Sequence, residues 1–458
     1  MTTSGCQQFR QTHHNRRELL SIGLGTGLGL SWGELLRARE NQSSRSRTFG
    51  AAKQIIFLFL HGGHPQHETW DPKPKAPANI RGEFGEIATS VPGLRISELL
   101  PRCAKIADRL TIIRSMSHDN PNHVQACLPA MTGHKHPASV RGRGDFPPSP
   151  NNFPHFGAVR DHVQNRTHDL PNWVQIGPEM TRSNRTVLHG QSPGFLGRKH
   201  GPMMVDQDLT VDNVRIQAIA SRISISRLQG RQRLLAEVDA QRRIIDHRSA
   251  NLKDAFYRRA FGLLTSAKTR QAFDLSSEPE KVRRRYPKSQ VGQSCLLARR
   301  LVEAGVPFVN VHYCKTPRGS WDTHSRNFVK MKKSLAPTLD QAFSALVEEL
   351  EERGLRDRVL VVPMGEFGRT PKINRNAGRD HWPWVYSLAM AGAGLQPGAV
   401  FGASDRLAAY PKSHPRDPAD MAATLYHLMG IPSSTVLHDS IGRPHQLIAG
   451  RPIHELLA

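Results

Sequence analysis

Histidines and carboxylates gather in four short stretches of this chain. They are His61 with His64; His118, Asn122 and His123; Asp322 with His324; and Glu366, Asp380 and His381, the last group also holding Arg369. A mixed imidazole and carboxylate set suits zinc or manganese better than calcium, which prefers oxygen alone. Two such ions roughly 4 Å apart can clamp an ester oxyanion and bring the pKa of a coordinated water to about 7. A guanidinium such as that of Arg369 can hold a sulfate or phosphate oxygen bidentately. The plainer alternative is a salt-bridged loop, since acidic and basic residues that flank a strand often only solvate it. Any one of these histidines alone would more often be a surface or hydrogen-bonded residue. Four clusters, each expected at the carboxyl end of a strand, make coincidence the poorer explanation.

The elements that must carry these residues are legible as patterns. Ile55–Leu60 (IIFLFL) is short and wholly apolar, which predicts a strand buried on both faces. It runs into the sharp turn His61-Gly62-Gly63-His64-Pro65. Leu110–Ile113, Trp173–Ile176, Pro307–His312, Val359–Pro363 and Val385–Ala391 read as further strands. Between them, a helix from about Gln290 stops at Gly305, a second with apolar Leu335, Leu339, Phe343, Leu346 and Leu350 stops at Gly354, and a third spans Ala419–Leu428. Strands alternating with helices predict an α/β domain whose largely parallel sheet is covered by helices on both faces. Residues 211–290 differ. Apolar residues recur there at helical spacing, with 18 basic against 8 acidic residues, which predicts a helical basic insertion at about 206–288. Most of its arginines read as a solvated face, and Arg283-Arg284-Arg285 could instead line a polyanion rim.

The chain has 458 residues, 22% of them charged, and a formal net charge of +24. So strong a positive field attracts polyanions, whether nucleic acid, anionic lipid or sulfated and phosphorylated polymers. No zinc finger, RNA-binding signature or aromatic platform accompanies it, so no specific nucleic acid is expected. Arg16-Arg17 precedes a short Gly/Leu-rich tract, the pattern of a twin-arginine export signal. Residues 1–52 are therefore expected to be signal peptide and linker, 53–458 the folded domain, and the location periplasmic or otherwise exported. The tract is shorter than the roughly 20 residues a permanent span needs, so no transmembrane anchor is expected. Five cysteines without C-x-x-C spacing argue against a disulfide framework. Export in the folded state fits reduced thiols and a metal loaded beforehand.

Several motifs carry a family resemblance. HGG after the first strand, DPKP at 71–74, PNH at 121–123, TGH at 132–134, WDTH at 321–324, GEFGRTP at 365–371 and GRDHWP at 378–383 closely resemble the DUF1501 family. That family has no assigned activity and looks like a divergent branch of the alkaline phosphatase/sulfatase superfamily. The resemblance implies that the superfamily's first-strand metal aspartate falls near His61. Its metal Asp/His pair falls at Asp322 and His324, separated here by one residue rather than three. A later Asp-His pair falls at Glu366 and Phe367, of which only the carboxylate survives, and the last metal histidine falls at His381 with Asp380 beside it. The sulfatase nucleophile would fall near His123, where no Cys or Ser stands in a C/S-x-P-x-R pattern. A formylglycine-type sulfatase is thereby disfavoured.

The expected protein is an exported metal-dependent hydrolase of sulfate or phosphate esters, with anionic polysaccharide as a candidate substrate. His61, Asp322, His324, Glu366, Asp380 and His381 are the expected metal residues. Arg369 would hold the anion, and His123, with Asn122 beside it, would serve as acid/base or nucleophile. The implied partners are an anionic small-molecule or polymeric substrate and the twin-arginine export machinery. The alternative is a non-catalytic polyanion-binding protein on the same fold.

Overall fold

The computed structural model describes residues 47–140, 143–164, 170–211, scattered positions between 214 and 237, 266–312 and 321–458. The expected twin-arginine segment and most of the basic insertion lie outside the described residues. Gly50–Ala458 forms a compact unit that carries every element named below.

Eight strands form the central sheet. In chain order they are β1 (Gln54–Phe59), β2 (Leu110–Met116), β3 (Trp173–Ile176), β4 (Met203–Val205), β5 (Phe308–His312) and β6 (Val359–Met364). Two more, β9 (Tyr386–Gly392) and β10 (Val400–Phe401), follow a short ribbon of β7 (Gly368–Arg369) and β8 (His381–Trp382). Across the sheet the order is β10-β2-β9-β6-β1-β5-β3-β4. All pairings are parallel except those of β9, which runs antiparallel to both β2 and β6. This is the expected α/β architecture, with Tyr386–Gly392 as its one reversed strand.

Period-two alternation along β1 sorts its side chains between two cores. Ile56, Leu58 and Leu60 join one apolar cluster with α3 (Gln290–Ala304) and α4 (Ala336–Glu352). Ile55, Phe57 and Phe59 join another with α1 (His123–Thr132), α2 (Phe156–Gln164) and α5 (Pro418–Leu428). Helices therefore cover both faces. Among the described residues, no helix is long and apolar enough to cross a membrane.

Register brings the site together. Phe59 pairs with His312 on one side and Met364 on the other, so β1, β5 and β6 end level. Two residues beyond those ends stand His61 and Glu366. β2 runs the same way and stops at Met116, opposite Tyr386, where reversed β9 begins. The backbone N–H of His118 then donates to the Pro383 carbonyl (2.9 Å), tying the two loops. A reversed strand starts where its parallel neighbours finish, and that is how His381 reaches the same edge.

Candidate metal centre

The Gly62-Gly63 turn is the floor of the site. Both glycines have positive φ (105° and 75°), and a Cβ on Gly62 would stand 2.3 Å from the Asp322 nitrogen. Only glycine lets the turn and the Asp322 loop approach so closely. The Gly62 N–H donates to the Glu366 carboxylate (3.0 and 3.2 Å), and the Trp321 N–H donates to the His61 carbonyl (3.1 Å). Backbone bonds thus knit three strand ends together.

His123 stands between two carboxylates. Asn122 caps α1, its side chain accepting from the Gln125 N–H (3.2 Å), so His123 is the first helical residue and fully buried. Its Nδ1 lies 2.5 Å from Glu366 Oε1 and its Nε2 3.4 Å from Asp322 Oδ2. Burial works to lower its pKa, but hydrogen bonding to Asp322 and Glu366 raises it overall. Burial likewise works to raise the Glu366 carboxyl, yet His123 brings it down to about 2.

Two groups of donors result, each with its atoms within 4.8 Å of one another: His61, His123 and Glu366 inside, and His123, Asp322 and His381 outside. Burial pulls His61 and His381 down to about 4, which keeps both imidazoles neutral at physiological pH. The Nδ1–H of His381 donates to the Pro121 carbonyl (2.7 Å), leaving its Nε2 lone pair facing Asp322 Oδ1 (3.1 Å). His324 Nδ1 bonds Asp380 (2.6 Å), and its Nε2 lies 3.1 Å from the same Asp322 oxygen and 2.9 Å from His381 Nε2. Two ring nitrogens and a carboxylate oxygen crowd one point, an arrangement that a proton on His324 or a cation relieves. Burial works to raise the Asp322 carboxyl, but His123, His324, His381 and Arg369 hold it well below the usual carboxylate range. Buried His61 Nδ1 has no hydrogen-bond partner, and His123 Nε2 has only the Asp322 carboxylate, at 3.4 Å. By donor chemistry and by this orphaned nitrogen, the residues fit divalent ions.

Several expectations need correction. Arg369 is not free to grip an anion. It is fully buried, its Nε donating to the Gly63 carbonyl (3.1 Å), Nη1 to the Arg379 carbonyl (3.2 Å), and Nη2 to the Gly62 carbonyl and Asp322 Oδ1 (2.7 Å). It is a strut for the turn and for Asp322. Asn122 is spent as the α1 cap and as a donor to Asp145 (3.0 Å), away from the convergent donors. His123 is no attacking group, because both ring nitrogens face carboxylates, and it lies at the centre of the cluster. Asp380 is half-exposed and orients His324, itself held by Asn374 (3.1 Å). His61, Asp322, Glu366 and His381 do converge, with His324 at the solvent side.

Sequence reasoning missed the buried clamps behind the site. Gln66 bonds the backbone of Arg369 in both directions (2.9 and 2.8 Å), and Arg379 pairs with buried Glu68 (2.7 Å) while holding the Thr370, Pro371 and Ile80 carbonyls. Lys330 was missed too. It sits one helical turn after the Asp322–His324 loop, its ammonium has no ion pair among the described residues, and Asp322 is the carboxylate that acts on it. A lysine a few residues past W-D-T-H was the available signal.

Among solved structures, the lipoteichoic acid synthase LtaP from Listeria monocytogenes is similar at 11% identity (TM-score 0.39, 90% of this chain and 79% of that one covered). So are the phosphonate monoester hydrolase SpPMH from Silicibacter pomeroyi (11%, 0.36, 88% and 76%) and a protein in the alkaline phosphatase superfamily from Vibrio parahaemolyticus (12%, 0.35, 90% and 72%). No curated protein matches. The model of the DUF1501 family, described as a protein of unknown function, matches residues 52–457, and the chain belongs to that family.

Proposed function

We propose that this protein is an exported, metal-dependent hydrolase of sulfate or phosphate esters, with an anionic polysaccharide as the polymeric substrate class that its +24 charge suits. The observation that carries the reading is the convergence of His61, His123, Glu366, Asp322 and His381 at one sheet edge. The mixed donor set favours zinc or manganese. A divalent ion held there supplies Lewis acidity toward an ester oxygen.

The chain's own groups would do the rest. Asp380 takes the Nδ1–H of His324, whose side chain is 44% exposed, so His324 rather than enclosed His123 is the imidazole able to exchange a proton with solvent or a leaving group. Hydrogen bonding to Asp322 raises the His324 pKa, and Asp380 adds to it. Lys330 replaces Arg369 as the cation offered to the substrate anion. Arg369 and the Gly62-Gly63 turn keep Asp322 in place.

A second reading, a non-catalytic polyanion binder, is favoured by one observation: no Ser, Thr or Cys stands at the start of α1, where His123 is closed in on both sides. The Arg283–Arg285 run lends that reading less than its composition suggests, since Arg284 pairs with Glu280 (2.5 Å) and Arg285 with Glu348 and Glu352 (3.0 and 2.5 Å). Turnover of aryl sulfate and aryl phosphate across a divalent-metal panel separates the two. Hydrolysis that Glu366→Gln abolishes supports the enzyme. Metal uptake without any turnover supports the binder.

A further inference from the structure

Two cation sites that share a carboxylate or an attacking oxygen sit 3.5–4 Å apart. The donor groups here share something else. Both contain His123, and they reach it through opposite ring nitrogens: Nδ1 beside Glu366 (2.5 Å) and Nε2 beside Asp322 (3.4 Å). We propose that His123 bridges two divalent ions, one held with His61 and Glu366 and the other with Asp322 and His381, its ring releasing its remaining N–H proton to solvent as the second ion binds and so serving as an imidazolate link. The proposal rests on the cation-binding reading above and adds to it the number of ions, their link and their spacing.

Geometry supports the bridge in three ways. The ring is held between the two sides: it is buried, packs on Phe367 at 4.9 Å between ring centroids, and has a carboxylate beside each nitrogen. The His61 and His381 rings approach it at 5.7 and 4.2 Å, both nearly perpendicular to it (74° and 72°). Its Nε2 has only the Asp322 carboxylate beside it, at 3.4 Å, and a ring nitrogen of His61 is buried without a hydrogen-bond partner, so both rings keep coordinating capacity that the protein does not use up. Ring nitrogens stand about 2.2 Å apart and each ion about 2.0–2.1 Å beyond, so the two ions lie about 6 Å from one another.

The sites are unequal. The inner donors are all buried, whereas the outer Asp322 already pairs with Arg369 (2.7 Å), whose charge opposes a second cation. One tight and one weaker ion are expected.

Copper(II) added alone to metal-stripped full-length protein tests this, because copper takes imidazole ligands and is paramagnetic. Two ions should bind per chain. The electron paramagnetic resonance signal of isolated copper, present at one equivalent, should collapse at two as the ions couple through the ring. His123→Ala should weaken both binding steps by more than tenfold. Two bound ions with additive, uncoupled signals, or a His123→Ala effect on one step only, would overturn the bridge. Uptake of a single ion overturns the bridge and leaves the cation reading standing. No uptake of copper, zinc or manganese overturns both.

Discussion

Replacing Arg369 with Lys keeps the charge and removes the fork, which separates a strut from an anion clamp. Four hydrogen bonds leave the buried guanidinium, three to the carbonyls of Gly62, Gly63 and Arg379 and one to Asp322. A lysine ammonium can stay near Asp322 but cannot span the three carbonyls. An unmet buried acceptor costs about 1–3 kcal/mol, and partial relaxation brings the expected total to about 4 kcal/mol. A folded unit of roughly 400 residues unfolds with about 0.9 kcal/mol per kelvin of entropy, so Tm should fall by about 4–5 °C. Scanning calorimetry on metal-free protein reads this directly, and metal uptake at the outer site should weaken alongside. An unchanged Tm with a selectively raised KM for the anionic substrate would refute the strut and restore Arg369 as the anion's partner.

Lys330→Ala should raise KM for sulfate or phosphate esters by about 10–100-fold, the worth of one charged hydrogen bond, while leaving metal content unchanged; an unaltered KM would remove Lys330 from the substrate's path. Burial pulls His118 and His312 down to about 4, and both rings already give one N–H to a carbonyl and accept at the other nitrogen. Their folded pKa lies below the unfolded 6.5, so stability is complete above that value and is lost as pH falls toward 4, by about 3 kcal/mol per group. Thermal melts of metal-free protein should show a level Tm from pH 7.5 to about 6.5 and a falling Tm from there to pH 4.5, and a profile flat throughout would contradict the assignment. Exchange of Arg16-Arg17 for Lys-Lys should block export, read by cell fractionation, since a twin-arginine pathway reads the arginines themselves; normal export would point to the general secretory route.

The strands were legible because their burial is written as unbroken apolar runs: IIFLFL at 55–60 and VLVV at 359–362 can only sit between two helical layers. That His61 and Glu366 would meet followed from placing both runs in one parallel sheet. The reversal of Tyr386–Gly392 was not legible, since an apolar run reads the same in either direction. The role of Arg369 was misread for a related reason. A guanidinium after a strand looks available in sequence, and only the closeness of two glycine carbonyls, the Arg379 carbonyl and Asp322 reveals that four of its five N–H donors are taken. P-N-H before an apolar helix did hold a readable sign: Asn is a preferred cap, so the next residue begins a helix and points inward. That sign went unused: His123 was expected as an acid/base or nucleophile, whereas the structure buries it between Glu366 and Asp322. Gln66, Glu68 and Arg379 gave no such sign, because their partners lie some 300 residues away.

Metal content per chain, measured on full-length protein purified without chelator or added metal, tests the central claim most directly. The arrangement of His61, His123, Glu366, Asp322 and His381 predicts at least one tightly held divalent ion, zinc or manganese, that Glu366→Gln releases while the fold persists. Wild-type protein that carries no ion and takes none up from a divalent panel, or a Glu366→Gln variant with undiminished metal, would contradict it.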